Sequence, residues 1–275
     1  MGWRSYSPDI AHEMYYLVDR ISRAAINFIR GLPKHHLESL CHGWGDQKGS
    51  QHNLNVTQVF DTFVERYDAW FDSPFGKSAF ELEKSCIASL CRDVKGPSLE
   101  IGVGTGRFAE ALEIEYGIDI SRRVLEFAER RKITVVRGSG EELPFRDESF
   151  NSVFIIVTLC FVEKPERVLE EASRVLTKNG RIILGLILKE SPWARFYMEK
   201  AEAGNVFYKN ARFCSFNELE AMMGKSRLKI IEICSTLFQK PAEEPLQFET
   251  PKRGYCKEAG FVAIKAGKSP SSASI

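Results

Sequence analysis

Histidine is missing from most of this 275-residue chain. The five histidines all lie within the first 52 residues: His12, His35, His36, His42 and His52. If the catalytic machinery lies after residue 53, no histidine there can act as a base or as a metal ligand. This excludes Ser-His-Asp, Cys-His and most zinc mechanisms. The early cluster of histidines around Cys41 matches no standard zinc spacing, so we interpret it as part of a polar linker and predict no metal site.

The chain also lacks an excess of charge, a long apolar run and paired cysteines. It has 38 basic and 37 acidic side chains, which give no long-range field for a nucleic acid, so no nucleic-acid partner is expected. The longest apolar run, Ile182 to Leu188, is too short to span a bilayer. The start has no apolar signal core, and the seven cysteines form no C-x-x-C pair. We therefore expect a cytoplasmic protein without a membrane span.

The first 53 residues look like an extension. Ser7 and Pro8 begin an amphipathic helix that ends near Gly31, and residues 31–53 are polar, as a linker would be. This helix could pack on the rest of the chain, pair weakly with a second copy, or lie on a membrane surface. Its polar face mixes acidic and basic residues, which disfavours the membrane. At the other end, residues 268–275 are Ser-rich and are expected to be disordered, so the main domain should span residues 54–267.

Between these limits the pattern predicts helices first and then alternating strands and helices. One amphipathic helix carries Val56 to Tyr67, and another starts at the cap pair Ser73-Pro74. Strands fit Ser98–Ile101, Gly117–Ile120, Ile133–Val136, Ser152–Val157, Arg181–Leu188, Leu228–Ser235 and Phe261–Lys265. Further helices fit Arg107–Glu113, Ser121–Arg131, Pro165–Leu176 and Ser215–Met223. This alternation indicates an α/β fold, a mostly parallel sheet with helices on both faces.

A glycine-rich turn follows the first strand, in the sequence L-E-I-G-V-G-T-G-R-F. Gly102, Gly104 and Gly106 can adopt positive φ and bring backbone N–H groups close to a ligand. The spacing is G-x-G-x-G, not the G-x-G-x-x-G of a dinucleotide site. Glu100, just before the turn, would repel a pyrophosphate but suits a ligand that carries an ammonium and a sulfonium.

A second acidic residue, Asp119, ends the next strand, seventeen residues after Gly102. A carboxylate there can accept hydrogen bonds from both hydroxyls of a ribose. Helix capping is a weaker explanation, because Ser121 is the better cap. Two acidic residues at adjacent strand ends, on either side of a glycine turn, are more specific than either alone.

With these residues in place, the chain from about Leu54 to Gly267 resembles the class I S-adenosylmethionine-dependent methyltransferases. The match is to the type 11 branch, which includes ubiquinone/menaquinone-biosynthesis enzymes. Three segments carry it: L-E-I-G-V-G-T-G, G-S-G-E-E-L-P-F-R-D-E-S-F at Gly138–Phe150, and V-L-E-E-A-S-R-V-L-T-K-N-G-R-I at Val168–Ile182. The resemblance implies a Rossmann-like three-layer sandwich with seven strands, the last of them antiparallel.

The resemblance also implies S-adenosylmethionine as cofactor and a set of residues that bind it. Glu100 would lie near the methionine amino group, and Asp119 would hold the ribose. The full set is Glu100, Gly102, Val103, Gly104, Gly106, Asp119, Ile120, Ser139, Gly140, Glu141, Val157 and Thr158. Ser139 to Glu141 would lie at the adenine edge, with Val157 and Thr158 below the ligand. The chain departs from the family at Ser139 and Asn151, where Asp is common, at Cys160-Phe161, where His is common, and at Lys178-Asn179-Gly180, which replaces a Pro-Gly-Gly turn.

The methyl acceptor is much harder to identify from the sequence. Methyl transfer from a sulfonium is an in-line displacement that proximity and orientation can support, so a dedicated base is not required. Two aromatic segments could line a pocket: E-R-Y-D-A-W-F at 65–71 and residues 189–214. The candidates from these and the fourth strand are Tyr67, Trp70, Cys160, Tyr208 and Arg212. We expect a small-molecule acceptor and leave its accepting atom open; the alternative is a non-catalytic cofactor-binding module in regulation or assembly.

Overall fold

A computed structural model of the chain describes residues 54–241 and 244–269. The predicted first helix, the linker with its histidines and the last six residues lie outside the described residues. The domain limits, the weak homo-oligomer and the disordered tail therefore remain predictions.

The described residues form three helices, then strands and helices that alternate in part, and finally three consecutive strands. The helices are α1 (Val56–Thr62), α2 (Val64–Trp70), α3 (Pro74–Leu90), α4 (Arg107–Ala111), α5 (Arg122–Arg130), α6 (Pro165–Val175), α7 (Pro192–Glu202) and α8 (Phe216–Lys225). The strands are β1 (Ser98–Ile101), β2 (Tyr116–Asp119), β3 (Thr134–Arg137), β4 (Phe150–Ile156), β5 (Leu176–Leu186), β6 (Leu228–Thr236), β7 (Lys252–Arg253) and β8 (Phe261–Lys268). A short 3₁₀ turn, Leu159–Phe161, follows β4.

These strands form one sheet in the order β3-β2-β1-β4-β5-β8-β6-β7. Strands β1 to β5 pair in parallel, and β8 is inserted antiparallel between β5 and β6. The predicted α/β sheet with an antiparallel last strand is confirmed. The order reverses between β1 and β4, and a ligand site is expected beyond the carboxyl ends of the strands at such a point.

Strand β4 shows why the inner strands are apolar runs. Val153 and Ile155 belong to a core on one face of the sheet, with α6 and α8, whereas Phe154 and Ile156 belong to a core on the other face, with α3. A strand with helices on both faces buries every side chain, so its sequence does not alternate. The sandwich therefore has three layers, as predicted.

Two helix predictions need correction. The helix that begins at Val56 is broken at Phe63, which has φ −115° and ψ 26°, and a second helix, α2, begins at Val64 and ends at Trp70. The segment after β5 contains a helix, α7, that the sequence analysis did not assign. The pattern that could have found it is Ser191-Pro192, because Ser191 caps the Ala194 N–H as Ser73 caps the start of α3.

The sheet also differs from prediction in detail. Residues 178–180, which replace the Pro-Gly-Gly turn of the family, belong to β5, and Asn179 is not among the described residues with positive φ. Strand β5 instead starts directly after α6, and the pairing of β4 with β5 skips between Phe150 and Ser152. Strand β8 runs to Lys268, which pairs with Leu228, so Lys268 belongs to the sheet and not to a tail. Strand β7, only two residues long, was too short to predict.

Candidate active site

The glycine turn after β1 is left-handed at all three glycines. Gly102, Gly104 and Gly106 have φ of 72°, 53° and 82°, as predicted for residues that need no side chain. At Gly102 a side chain is also excluded by space, because a Cβ there would meet the side-chain oxygen of Thr158 at 2.5 Å. The N–H groups of Gly102 and Val103 both donate to the Ile118 carbonyl, at 2.8 and 3.1 Å. The turn is thereby fixed to β2.

Asp119, at the end of β2, is hydrogen-bonded to the glycine turn through its carboxylate. One carboxylate oxygen accepts the Gly104 N–H at 3.0 Å, and the other accepts the Ser121 N–H at 2.9 Å. Burial raises the pKa of Asp119, although these N–H donors act in the opposite direction. Ser121 caps α5, as predicted, through the Val124 N–H. The next side chain, Ile120, is 40% exposed at the same edge of the sheet.

Glu100 is a buried acid in the central strand β1. Its side chain is 2% exposed, and its Oε2 has no hydrogen-bond partner among the described residues. Burial raises its pKa well above the usual value, the negative charge of Asp119 adds to this, and a hydrogen bond from the Ala109 backbone opposes it. A buried oxygen without a donor is costly unless a ligand supplies one.

The loop after β3 lies beside Asp119, whose carbonyl accepts the Gly138 N–H at 3.0 Å. Within this loop the Ser139 hydroxyl accepts the Glu141 N–H at 3.1 Å. The Glu141 carboxylate reaches α6 and accepts the Lys164 N–H at 3.0 Å. At Gly140 a Cβ would lie 2.6 Å from the Ile101 side chain. The loop is thus packed closely on the end of β1.

Val157 and Thr158, after β4, close the other side of the site. Val157 has φ 47°, which is strained for a β-branched residue, and its N–H donates to the Gly185 carbonyl at 2.8 Å. The Thr158 hydroxyl donates to the Ile156 carbonyl at 2.9 Å. Such strain is concentrated at functional sites. All the predicted cofactor residues therefore lie along the carboxyl ends of β1, β2, β3 and β4.

Helix α2 brings Tyr67 onto the glycine turn. A Cβ added to Gly104 would lie 3.3 Å from the Tyr67 hydroxyl. Burial raises the pKa of Tyr67 far above its usual value, and the charges of Asp119 and Glu100 raise it further. Tyr67 is therefore a neutral phenol next to both acidic residues.

Tyr67 belongs to a group of five rings that we call the aromatic wall: Phe60, Phe63, Tyr67, Phe161 and Phe207. Phe60 packs edge-on against Tyr67 and Phe161, with ring centroids 5.2 and 5.6 Å apart. Phe207 is 5.9 Å from Phe60 and 6.1 Å from Tyr67. The wall joins α1 and α2, the 3₁₀ turn and the segment after α7. The two predicted pocket segments therefore meet, but the sequence analysis missed Phe60, whose helical spacing resembles that of any core residue.

The other acceptor candidates have different positions. Tyr208 stacks on Tyr197 with centroids 4.3 Å apart. Cys160 has its carbonyl bonded to the Arg212 N–H at 2.7 Å, while the Arg212 side chain is exposed. Burial raises the pKa of Cys160 to about 12, which disfavours the thiolate form that a nucleophile needs. Trp70 packs on Phe71 and Phe75, with ring centroids 5.0 and 6.1 Å apart, and its role as a pocket residue remains a prediction.

Helix α3 contains a buried acid that the sequence analysis did not single out. Glu83 is 6% exposed among apolar side chains, and burial raises its pKa to about 8. Between pH 4.5 and 8 the unfolded chain releases this proton and the folded chain keeps it, so Glu83 lowers stability as pH rises.

We expect Glu83→Gln to remove this dependence, since glutamine does not ionise. The difference in free energy of unfolding, Glu83→Gln minus wild type, should increase by up to about 1.4 kcal/mol per pH unit between about pH 5 and 8. Urea denaturation at a series of pH values measures it. Glu81→Gln, on the exposed face of the same helix, is the control and should give a constant difference. A constant difference for Glu83→Gln as well would show that Glu83 is ionised in the folded protein.

The comparisons with known proteins agree with this geometry. Residues 99–184 match the family described as a methyltransferase domain. A crystal structure from Thermotoga maritima, described as an S-adenosylmethionine-dependent methyltransferase and possible histamine N-methyltransferase, is 39% identical, with a TM-score of 0.71. The match covers 78% of this chain and all of that one.

Two further relatives extend the comparison. An uncharacterized protein of Methanocaldococcus jannaschii is 43% identical over 211 residues, which are 76% of this chain and 98% of the relative. The demethylmenaquinone methyltransferase of Thermotoga maritima is 28% identical over 145 residues, 50% of this chain and 63% of that protein.

The chain belongs to the S-adenosylmethionine-dependent methyltransferases of class I. It is a methyltransferase that uses S-adenosylmethionine, as the resemblance of its sequence motifs to this family implied. No helix in the described part of the chain is long and apolar enough to cross a membrane. Within those same residues, no group of His, Cys, Asp and Glu could hold a metal ion.

Proposed function

We propose that this enzyme transfers the methyl group to a small-molecule acceptor by in-line displacement, at the carboxyl edge of β1, β2 and β4. The observation that carries this proposal is the aromatic wall, whose member Tyr67 lies on the glycine turn. Aromatic rings offer apolar area and a fixed geometry to a small ligand. The near-neutral charge of the chain gives no reason to prefer a nucleic-acid acceptor.

The residues at this edge fit S-adenosylmethionine. We assign the amino group of the cofactor to Glu100, whose buried Oε2 lacks a donor, and the ribose hydroxyls to Asp119. The glycine turn, with Val103, would let the backbone approach the ligand, since no side chain projects from its three glycines. Ile120 and the loop Ser139–Gly140–Glu141 would flank the adenine, with Val157 and Thr158 beneath.

The cofactor supplies a methyl group already activated on a sulfonium, so the residues mainly have to orient the acceptor and exclude water. The thiol of Cys160 and the phenol of Tyr67 are both held in their protonated forms. Neither is a ready general base at neutral pH. We therefore attribute most of the rate enhancement to proximity and orientation.

Nitrogen is the accepting atom to test first, because the solved relative from Thermotoga maritima is described as a possible N-methyltransferase. A cytoplasmic location is supported by the six described cysteines, which are all free thiols. The decisive experiment incubates the purified full chain with methyl-labelled S-adenosylmethionine and fractionated small metabolites, amines among them. Label should appear in a small product. Label found only in protein or RNA from a parallel incubation would refute the small-molecule acceptor.

The aromatic wall makes a prediction for the acceptor found in that screen. Phe207→Ala should raise KM for the acceptor at least tenfold, because about 1.5 kcal/mol or more of apolar contact is lost. Its Kd for S-adenosylhomocysteine, measured by calorimetry, should change less than twofold. Phe248→Ala is the control, since that ring is 83% exposed. An unchanged KM would remove Phe207 from the acceptor site.

A further inference from the structure

Arginine side chains attach helix α2 to the glycine turn. Arg107 is the first residue of α4, directly after Gly106. Its Nε and Nη2 donate to the two carboxylate oxygens of Asp68 at 3.0 and 2.8 Å. Its Nη1 and Nη2 donate to those of Asp72 at 2.9 and 2.7 Å. Both carboxylates come from the neighbourhood of α2, so the guanidinium holds that helix twice.

Asp68 is the centre of this network. It also accepts a hydrogen bond from Arg131 at 3.1 Å, and Arg131 donates to the carbonyl of Thr105, within the glycine turn, at 2.8 Å. Burial would raise the pKa of Asp68, but hydrogen bonds from Arg107 and Arg131 outweigh burial and lower it. Asp68 is therefore ionised at neutral pH. Asp68 and Arg107 are both mostly shielded from solvent, where a bidentate pair is stronger than an exposed one.

The hydrogen bonds of Asp68 also fix the position of Tyr67. Tyr67 precedes Asp68 in α2, and its hydroxyl is the group that faces Gly104. A rotation or shift of α2 would move Tyr67 off the glycine turn. Arg107 opposes such a movement, because it lies at the end of that turn and is hydrogen-bonded to α2.

We propose that Asp68 and Arg107 are positioning residues, which set Tyr67 over the glycine turn and through it determine the affinity for the cofactor. The proposal rests on the cofactor site assigned above. It assigns to the pair a role in ligand binding in addition to stability, and this role acts through a neighbour, since neither side chain faces the turn as Tyr67 does.

The test measures the Kd for S-adenosylhomocysteine by calorimetry, together with Tm, in full-length variants. Asp68→Asn keeps the shape of the side chain and removes its negative charge. Arg107→Lys keeps the positive charge and removes the guanidinium group that makes the bidentate hydrogen bonds. Each should weaken binding at least tenfold. Asp93→Asn is the matched control, because it removes the ion pair with Lys265, 3.0 Å long, and Lys265 lies in β8, which β4 and β5 separate from β1 and its glycine turn. It should change Kd less than twofold.

A second background separates positioning from general stability. In Tyr67→Leu, the residue on which Asp68 acts is gone, so adding Asp68→Asn should weaken binding less than twofold further. Equal losses in the wild-type and the Tyr67→Leu backgrounds would overturn the inference, as would unchanged affinity in both Asp68→Asn and Arg107→Lys. If Asp68→Asn does not fold, Arg107→Lys in the two backgrounds gives the same comparison. Failure of the wild type to bind S-adenosylhomocysteine would instead refute the cofactor site itself.

Discussion

Gly104→Val is expected to weaken binding of S-adenosylmethionine at least tenfold, about 1.4 kcal/mol. Two effects add at this position. Gly104 has φ 53°, which a β-branched residue adopts only with strain, and its Cβ would lie 3.3 Å from the Tyr67 hydroxyl. The valine methyl groups would reach further, into the space between the turn and Tyr67. Calorimetric titration with the cofactor measures the loss.

The control for this prediction is Gly254→Val. Gly254 has φ 91°, so it shares the backbone strain, but no atom lies within 4 Å of its Cβ position. This variant should lose stability and keep its affinity for the cofactor. If Gly104→Val binds as tightly as the wild type while folding normally, the glycine turn is not the binding element, and the cofactor assignment fails.

Asp119→Ala is expected to weaken cofactor binding by about 1–3 kcal/mol, which corresponds to roughly 5- to 150-fold. The carboxylate is assigned to the ribose hydroxyls, and the structure adds a second cost. Alanine would leave the N–H groups of Gly104 and Ser121 without their acceptor, so the turn itself would loosen. The upper part of this range is therefore expected.

Asp147→Ala serves as the control for Asp119→Ala. Asp147 is an exposed carboxylate that pairs with Arg174 at 2.7 Å, outside the site. Its loss should leave the Kd for the cofactor within twofold. Equal affinities of Asp119→Ala and the wild type would show that the ribose is held elsewhere.

The cofactor edge of this protein follows from local sequence alone. Glu100, the three glycines and Asp119 lie at the ends of two adjacent strands. Parallel strands bring their carboxyl ends to the same edge of a sheet, independently of the other segments of the chain. Positive φ at the glycines also follows from local chemistry. The strained backbone of Val157 did not follow, because nothing in its own sequence favours that conformation.

What covers that edge depends on packing between distant segments. Asp68 and Arg107 are 39 residues apart and meet because α2 folds back onto the glycine turn. Phe60, Phe161 and Phe207 come from three separate segments, and each has a spacing that ordinary core packing would also produce. The raised pKa of Glu83 depends on which face of α3 is buried. Contacts of this kind join residues that are distant in the chain, so no local pattern of the sequence contains them, whereas the glycine turn is determined by residues that are neighbours.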